Sequence, residues 1–256
     1  MNPAQLPSRR LVLKSLSLVV LGSGALAGCA TNKPEAEAVP PVVDSLTLLP
    51  IAMPGGVTVE NRGMRGGLGL LLGGLGSIAA AHSIRQNGQR MDQLILASGV
   101  DLSVRLREVL LAELAGGPVI PDLFANSQEA AKARANDDFK LLGVGTDGVL
   151  DISVSNYGFY CSSGVDDYTP QVYVSMGLRS PRTSDWLGDA SYAYDRSPSN
   201  GYQRHFQTAA EHKFGSLDDL FADSTRAVTA LETGAEKIAG AIAVDIRTIL
   251  AGRFLE

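Results

Sequence analysis

Cysteine, histidine and tryptophan are nearly absent from this chain: its 256 residues hold two cysteines, three histidines and one tryptophan. Two cysteines exclude a disulfide framework and a four-cysteine metal site. The histidines are His82, His205 and His212. The last two, seven apart with Glu211 adjacent, could bind a metal or serve a serine, but their spacing is better read as the solvated side of a helix. No metal and no cofactor is expected. No GxSxG elbow, P-loop, HExxH or calcium-loop pattern occurs. Gly143 to Gly148 fits GxGxxG, yet it runs directly into an alternating strand, whereas a dinucleotide loop must open a helix. The acidic pairs Asp137-Asp138, Asp166-Asp167 and Asp218-Asp219 read as loops and helix starts. Positive charge is scarce: 22 Lys+Arg stand against 27 Asp+Glu, a net of −5 that argues against a nucleic-acid partner.

What is present begins with an export signal. Arg9, Arg10 and Lys14 form a positive n-region, and Leu11 to Leu26 form an apolar run. Leu26-Ala27-Gly28-Cys29 resembles the lipobox of bacterial lipoproteins. That resemblance implies cleavage before Cys29 and acylation of Cys29, by chains such as palmitate, on sulfur and then on the new N-terminus. Ser8-Arg9-Arg10-Leu11-Val12-Leu13-Lys14 also resembles the twin-arginine export motif, although Val12 replaces the usual phenylalanine. Either route, twin-arginine or general secretory, is compatible with the lead. Two or more acyl chains hold a protein on a membrane stably. Ala30 follows the cysteine where aspartate would signal inner-membrane retention, so the resemblance favours the periplasmic face of the outer membrane. Cleavage removes three positive charges and no negative ones, taking the net charge from −5 to −8.

Residues 1–28 are therefore expected to be a signal peptide, 29–42 a lipidated tether and 43–256 one periplasmic domain. The tether, with three prolines and no large apolar residue besides valine, reaches roughly 40 Å when extended. With Cys29 committed to lipid, Cys161 has no intramolecular partner, and its neighbours supply no base, so it reads as a buried, inert thiol.

Within the domain, residues 43–51 predict a first strand and Val57–Glu60 the second leg of a hairpin. Helix is predicted from about His82, with a break at Asn87-Gly88. Asp101 caps a helix to Ala115 with Leu102, Leu106, Val109, Leu110 and Leu114 at helical spacing; a second helix spans Ser127 to Asp137. Alternation then predicts three meander strands: Leu150, Ile152, Val154 in one and Val172, Val174, Met176, Leu178 in the next, while Trp186 to Tyr194 alternates less cleanly, with Trp186, Ala190, Tyr192 and Tyr194 in phase. Ser216 and Asp219 resemble a capping box. A final helix carries Ile238, Ile242, Ile246 and Ile249 on one face, with Gly234 as a kink. The expectation is an α+β fold: an antiparallel sheet of about four to five strands, helices on one face and a long C-terminal helix.

Two features suggest contact surfaces. Residues 66–81 read GGLGLLLGGLGSIAAA, sixteen residues without charge and with six glycines. At about 1.5 Å per residue they are too short for a clean span. On a helix, Gly69, Gly73, Ser77 and Ala81 form the small-xxx-small ladder by which helices approach closely. The insert 63–81 is thus a candidate for self-association or for shallow insertion beneath the tether, and an apolar connection folded on its own domain is a further reading. Second, all seven tyrosines lie between Tyr157 and Tyr202, with Trp186 among them. Tyr173, Trp186, Tyr192 and Tyr194 are the candidate partner surface.

An early strand ending Leu-Leu-Pro, the segments GGPVIPD and GTDGVLDISV, a hairpin ending at Trp186 and the helix AEKIAGAIAVDIRTIL resemble, in outline, the α/β domain of the curli-secretion channel lipoprotein and of the lipoprotein activators of peptidoglycan synthases. The resemblance covers roughly residues 43–250. It implies an assembly or partner-binding role and transfers no catalytic residue. The function expected is a lipid-anchored, non-enzymatic binding or assembly protein with a protein partner or homo-oligomer. An envelope hydrolase acting on peptidoglycan or another glycan, and an oligomeric pore component, are the alternatives.

Overall fold

One long strand organises the sheet. In the computed structural model, which describes residues 43–61, 74–117, 119–162, 167–197 and 201–251, the strand β4 (Gly148–Cys161) pairs with neighbours along its whole length. The strands β1 (Leu46–Leu48) and β2 (Thr58–Asn61) both lie parallel to it on one side, Leu46 opposite Gly148 and Thr58 opposite Gly158. They are successive stretches of one interrupted edge, bridged by Ala52 against Ser153. The expected hairpin is therefore absent: the Met53–Gly56 stretch loops out and the chain resumes in the same direction.

On the other side β4 pairs antiparallel with β5 (Thr169–Arg179), and β5 with β6 (Trp186–Asp195), as the alternation predicts. β3 (Asp122–Leu123) adds parallel to β1, and β7 (Arg204–Gln207) adds parallel to β6. Among the described residues the sheet is seven-stranded and mixed, in the order β3-β1-β4-β5-β6-β7 with β2 also on β4. This corrects the expected antiparallel sheet of four to five strands. The missed strands are two to four residues long, too short to show a period.

The described residues form five α-helices: α1 (Gly74–Ser98), α2 (Leu102–Leu114), α3 (Ser127–Asn136), α4 (Leu217–Ala222) and α5 (Ser224–Leu250). Asp101 caps α2 by accepting from the backbone N–H of Ser103 and Val104. A further bond from the Ser103 hydroxyl is the main reason its carboxyl is held below the ordinary aspartate range. Leu102, Leu106, Leu110 and Leu114 are buried. α5 buries Ile238, Ile242, Ile246 and Ile249 in the same core, against Val172, Val174, Met176, Leu178, Tyr192 and Tyr194. Ser216 accepts from the Asp219 N–H at the start of α4.

Two expected helix breaks do not occur. α1 runs through Asn87-Gly88, and α5 through Gly234. A Cβ at residue 88 would lie 2.4 Å from the Val57 carbonyl oxygen, and one at 234 would lie 2.5 Å from the Tyr194 ring. These glycines let a helix touch the sheet, and the packing gained outweighs a propensity cost of about 1 kcal/mol each.

Helices cover both faces of the sheet, another departure from expectation. Opposite α5, α3 and the 3₁₀ turn Phe139–Leu142 close a second cluster of Leu49, Ala130, Ala133, Phe139, Leu142 and Val149. That layer covers only one end; farther along, Ser175 is exposed and Ser153 and Ser191 are half-buried. No helix among the described residues is long and apolar enough to cross a membrane. Arg9, Arg10, Leu26, Ala27, Gly28, Cys29, Gly69 and Gly73 lie outside the described residues. Ser77 falls within α1, where only the backbone of residues 74–77 is described, and Ala81 is exposed on the same helix.

Candidate functional site

The partly open face of the sheet carries the most distinctive side-chain arrangement. Between β5 and β6 the pairing slips at one position: Leu178 faces Gly188, but Arg179 faces Trp186. Leu187 is the extra residue of this bulge, and a bulge re-aims the side chains beyond it. Gly188, Ala190, Tyr192 and Tyr194 point toward α5, whereas Trp186 turns to the opposite face and lies across Gly177. A Cβ at 177 would meet the indole at 2.4 Å. The in-phase reading of Trp186 with Tyr192 and Tyr194 is thereby corrected. Tyr192 and Tyr194 are fully buried core residues and form no surface.

Beneath the indole sits Arg179, only 8% exposed. Its guanidinium carbon is 3.4 Å from the Trp186 ring centroid and 5.0 Å from that of Phe139. One Nη pairs with Asp137 Oδ1 at 2.7 Å and the other donates to the Ser184 carbonyl at 3.1 Å. Asp137 (φ 50°) and Ser184 (φ 67°) are the two non-glycine residues with positive φ among the described residues. Both strained positions thus serve one guanidinium, and such strain persists only where surroundings over-determine it. The Ser184 hydroxyl also accepts from the Phe139 N–H at 3.0 Å, tying the 3₁₀ turn to the β5–β6 turn.

The consequence is a preorganised tryptophan. A cation on an aromatic face contributes roughly 0.5–2 kcal/mol, more as the cation is desolvated. Trp186 nevertheless remains 56% exposed, and the 3₁₀ turn beside it exposes Leu141 at 48%. A rigid tryptophan costs little further entropy when a partner covers it, which is why tryptophan and arginine dominate binding hot spots.

At the far end of the face, Tyr173 stacks on Tyr202 with centroids 4.9 Å apart. Its hydroxyl donates to Asp195 Oδ2 at 2.8 Å; Asp195 Oδ1 accepts from the Ser197 N–H and lies 2.6 Å from His205 Nε2. The buried Asp195 carboxylate is satisfied on both oxygens. An aspartate can orient a catalytic histidine in this way, but no hydroxyl or thiol is bonded to His205 among the described residues. The cluster acts as a lock on the β6–β7 connection. His205 lies on β7 and His212 in the separate 3₁₀ turn Ala210–His212, where its Nδ1 is 3.0 Å from the Tyr194 hydroxyl. They do not share a helix side, because residues 204–207 join the sheet. Among the described residues no three His, Cys, Asp or Glu side chains gather to hold a metal. Cys161 is buried in the core.

One apolar cavity lies between β2, α1 and α4, lined by Val59, Ala80, Ile84, Tyr168 and Leu217. At about 120 Å³ it is well below the size of a site for a drug-sized ligand.

No family model matches the chain, and no curated protein matches it. Among solved structures it is similar to protein XCC0632 from Xanthomonas campestris, at 10% identity and a TM-score of 0.43 over 84% of this chain and 90% of that one. Lipoprotein GNA1162 from Neisseria meningitidis follows at 19% identity and 0.25, covering 58% and 80%. The PelC dodecamer from Paraburkholderia phytofirmans gives 10% and 0.30, covering 79% and 91%. Lipoproteins are thus among the structures this chain resembles. At TM-scores below 0.5, no residue role or activity transfers from them.

Proposed function

We propose that this chain is a lipid-anchored protein of the bacterial envelope, held by Cys29 at the periplasmic face of the outer membrane, whose domain binds a protein partner without catalysing a reaction. The anchor rests on the Leu26-Ala27-Gly28-Cys29 motif behind a charged and apolar lead. The observation that carries the binding role is Trp186, exposed yet immobilised on the buried Arg179. An exposed, rigid aromatic is costly to leave in water and well suited to a partner, and Leu141 is exposed on the 3₁₀ turn whose Phe139 packs on the same Arg179. The thirteen residues 30–42 beyond the lipidated cysteine give the domain room to reach one.

The experiment has two arms. Cys29→Ser in full-length chain is expected to abolish incorporation of labelled palmitate and move the protein from the membrane to the soluble envelope fraction. Trp186→Ala is expected to remove the partner adduct obtained by chemical crosslinking in intact cells, with about 2 kcal/mol or more of binding lost. An unlabelled wild-type chain defeats the anchor, and an undiminished adduct from Trp186→Ala defeats the binding face.

A further inference from the structure

We infer that the open face of the sheet holds a binding site for an N-acetylated glycan, built around Gly158 and taking the acetamido group of one sugar. The site is separate from Trp186 and does not depend on the protein partner proposed above.

Strand register places its residues. Gly158 pairs with Thr58 of β2 on one side and with Gln171 of β5 on the other, and Asn156 pairs with Tyr173. Side chains two apart on a strand share a face, so Asn156 and Tyr160 stand on either side of Gly158 along β4. The face is the open one: Gln171, Tyr173 and Ser175 alternate with Val172 and Val174, which are buried in the core with α5. Gly158 contributes no side chain, so the middle of this cross is hollow. The surrounding residues, with Glu60, line a pocket of about 60 Å³. A glycine inside a strand often marks the close approach of another group. Gly177, which Trp186 covers, lies farther along β5, about 20 Å from Gln171.

The lining selects the ligand. Thr58, Asn156 and Gln171 are each partly buried, and among the described residues no side-chain hydrogen bond within the protein engages any of them. A partly desolvated amide gains when a ligand supplies its partner. Two primary amides present donors and acceptors side by side, which matches the one N–H and one C=O of an acetamido group. No Lys, Arg or His is among the described residues lining the pocket, and Glu60 is, which excludes an anion. The volume admits a few non-hydrogen atoms, enough for an acetamido group and too little for a sugar ring, which therefore lies at the mouth. Tyr160 and Tyr173 supply aromatic walls for the C–H face of that ring. Tyr173 is fixed in advance, stacked on Tyr202 and donating its hydroxyl to Asp195. A wall immobilised before binding adds little entropy cost.

The test titrates the full-length lipidated chain, in a detergent without a sugar head group, with the β-linked tetramer of N-acetylglucosamine, followed by isothermal titration calorimetry. Saturable binding is expected. Cellotetraose, which has hydroxyls in place of the acetamido groups, and the fully deacetylated tetramer are each expected to bind at least roughly tenfold more weakly. Asn156→Ala and Gln171→Ala are each expected to weaken binding of the N-acetylated tetramer about tenfold with unchanged circular dichroism. Gln171→Glu, which keeps the shape and removes the N–H donors, is expected to do the same. Trp186→Ala is expected to bind like wild type. Absence of saturable binding, equal affinity for either control sugar, or full affinity in the Asn156 and Gln171 variants each overturns the proposal. Loss of binding in Trp186→Ala assigns the sugar to the tryptophan and overturns it too. A missing partner adduct in cells leaves the titration unaffected, so the two readings fail separately.

Discussion

Replacing Gly158 with alanine is expected to cost about 3–5 kcal/mol and to lower the melting temperature by roughly 6–20 °C. Gly158 has φ 147°, where side chains are rarely accommodated, and the added Cβ would lie 1.9 Å from the Thr58 carbonyl oxygen and 2.7 Å from its carbon. These are backbone atoms of β2 in register with Gly158, so relief requires parting β2 from β4. Gly240→Ala is the control: it sits on α5 with nothing within 4 Å of the new Cβ. That change is expected to stabilise by about 0.5–1 kcal/mol through helix propensity alone. Thermal unfolding of both variants measures the contrast, and equal melting temperatures would contradict the β2–β4 register.

Asp245→Ala is the second large effect, at about 3 kcal/mol. Its carboxylate is 1% exposed, accepts the Tyr192 hydroxyl at 2.8 Å and pairs with Arg204 at 2.7 Å. Removing it leaves a buried phenol without an acceptor and unpins β7 from α5. The half-exposed Arg204 finds water, which moderates the loss. Tyr192→Phe, which spares the ion pair, is expected to cost only about 1 kcal/mol. Burial, reinforced by the bond to Asp245, raises the Tyr192 phenol well above the ordinary tyrosine range. A raised phenol favours the folded state fully below the unfolded value near 10, and that contribution is lost as the pH rises beyond it. Denaturant unfolding from pH 8 upward should therefore show wild type losing stability above about pH 10, and Tyr192→Phe losing less.

Periodicity carried what the sequence made legible. The β4–β5–β6 meander, the leucine face of α2 behind the Asp101 cap and the isoleucine face of α5 each repeat a period over ten residues or more. The failures share a cause: they depend on what a segment meets in space. Gly88 and Gly234 have the low propensity of helix breakers, but each is the contact point of a continuous helix with the sheet. Leu46–Leu48 and Thr58–Asn61 look like hairpin legs because a Pro-Gly-Gly turn separates them, yet both pair with the same side of β4. The tyrosine clustering falls largely on β4, β5 and β6, while one bulge at Leu187 decides which aromatics surface. Nothing local distinguishes Trp186 from Tyr192; the slip in register does. Arg179 was missed because an arginine on the polar phase of a strand reads as solvated, and only the fold brings Asp137, Phe139 and Trp186 around it.

That tryptophan is the centre of the functional account, and site-specific photocrosslinking in cells carrying the lipid-anchored chain tests it most directly. A photoreactive side chain placed at Leu141 or Ser175, on the open face, is expected to yield one discrete adduct with a protein partner, lost when Trp186→Ala is added. The same group at Lys237, exposed on α5 across the sheet, is expected to yield none. Adducts at Lys237 and none at Leu141 or Ser175 would contradict the account.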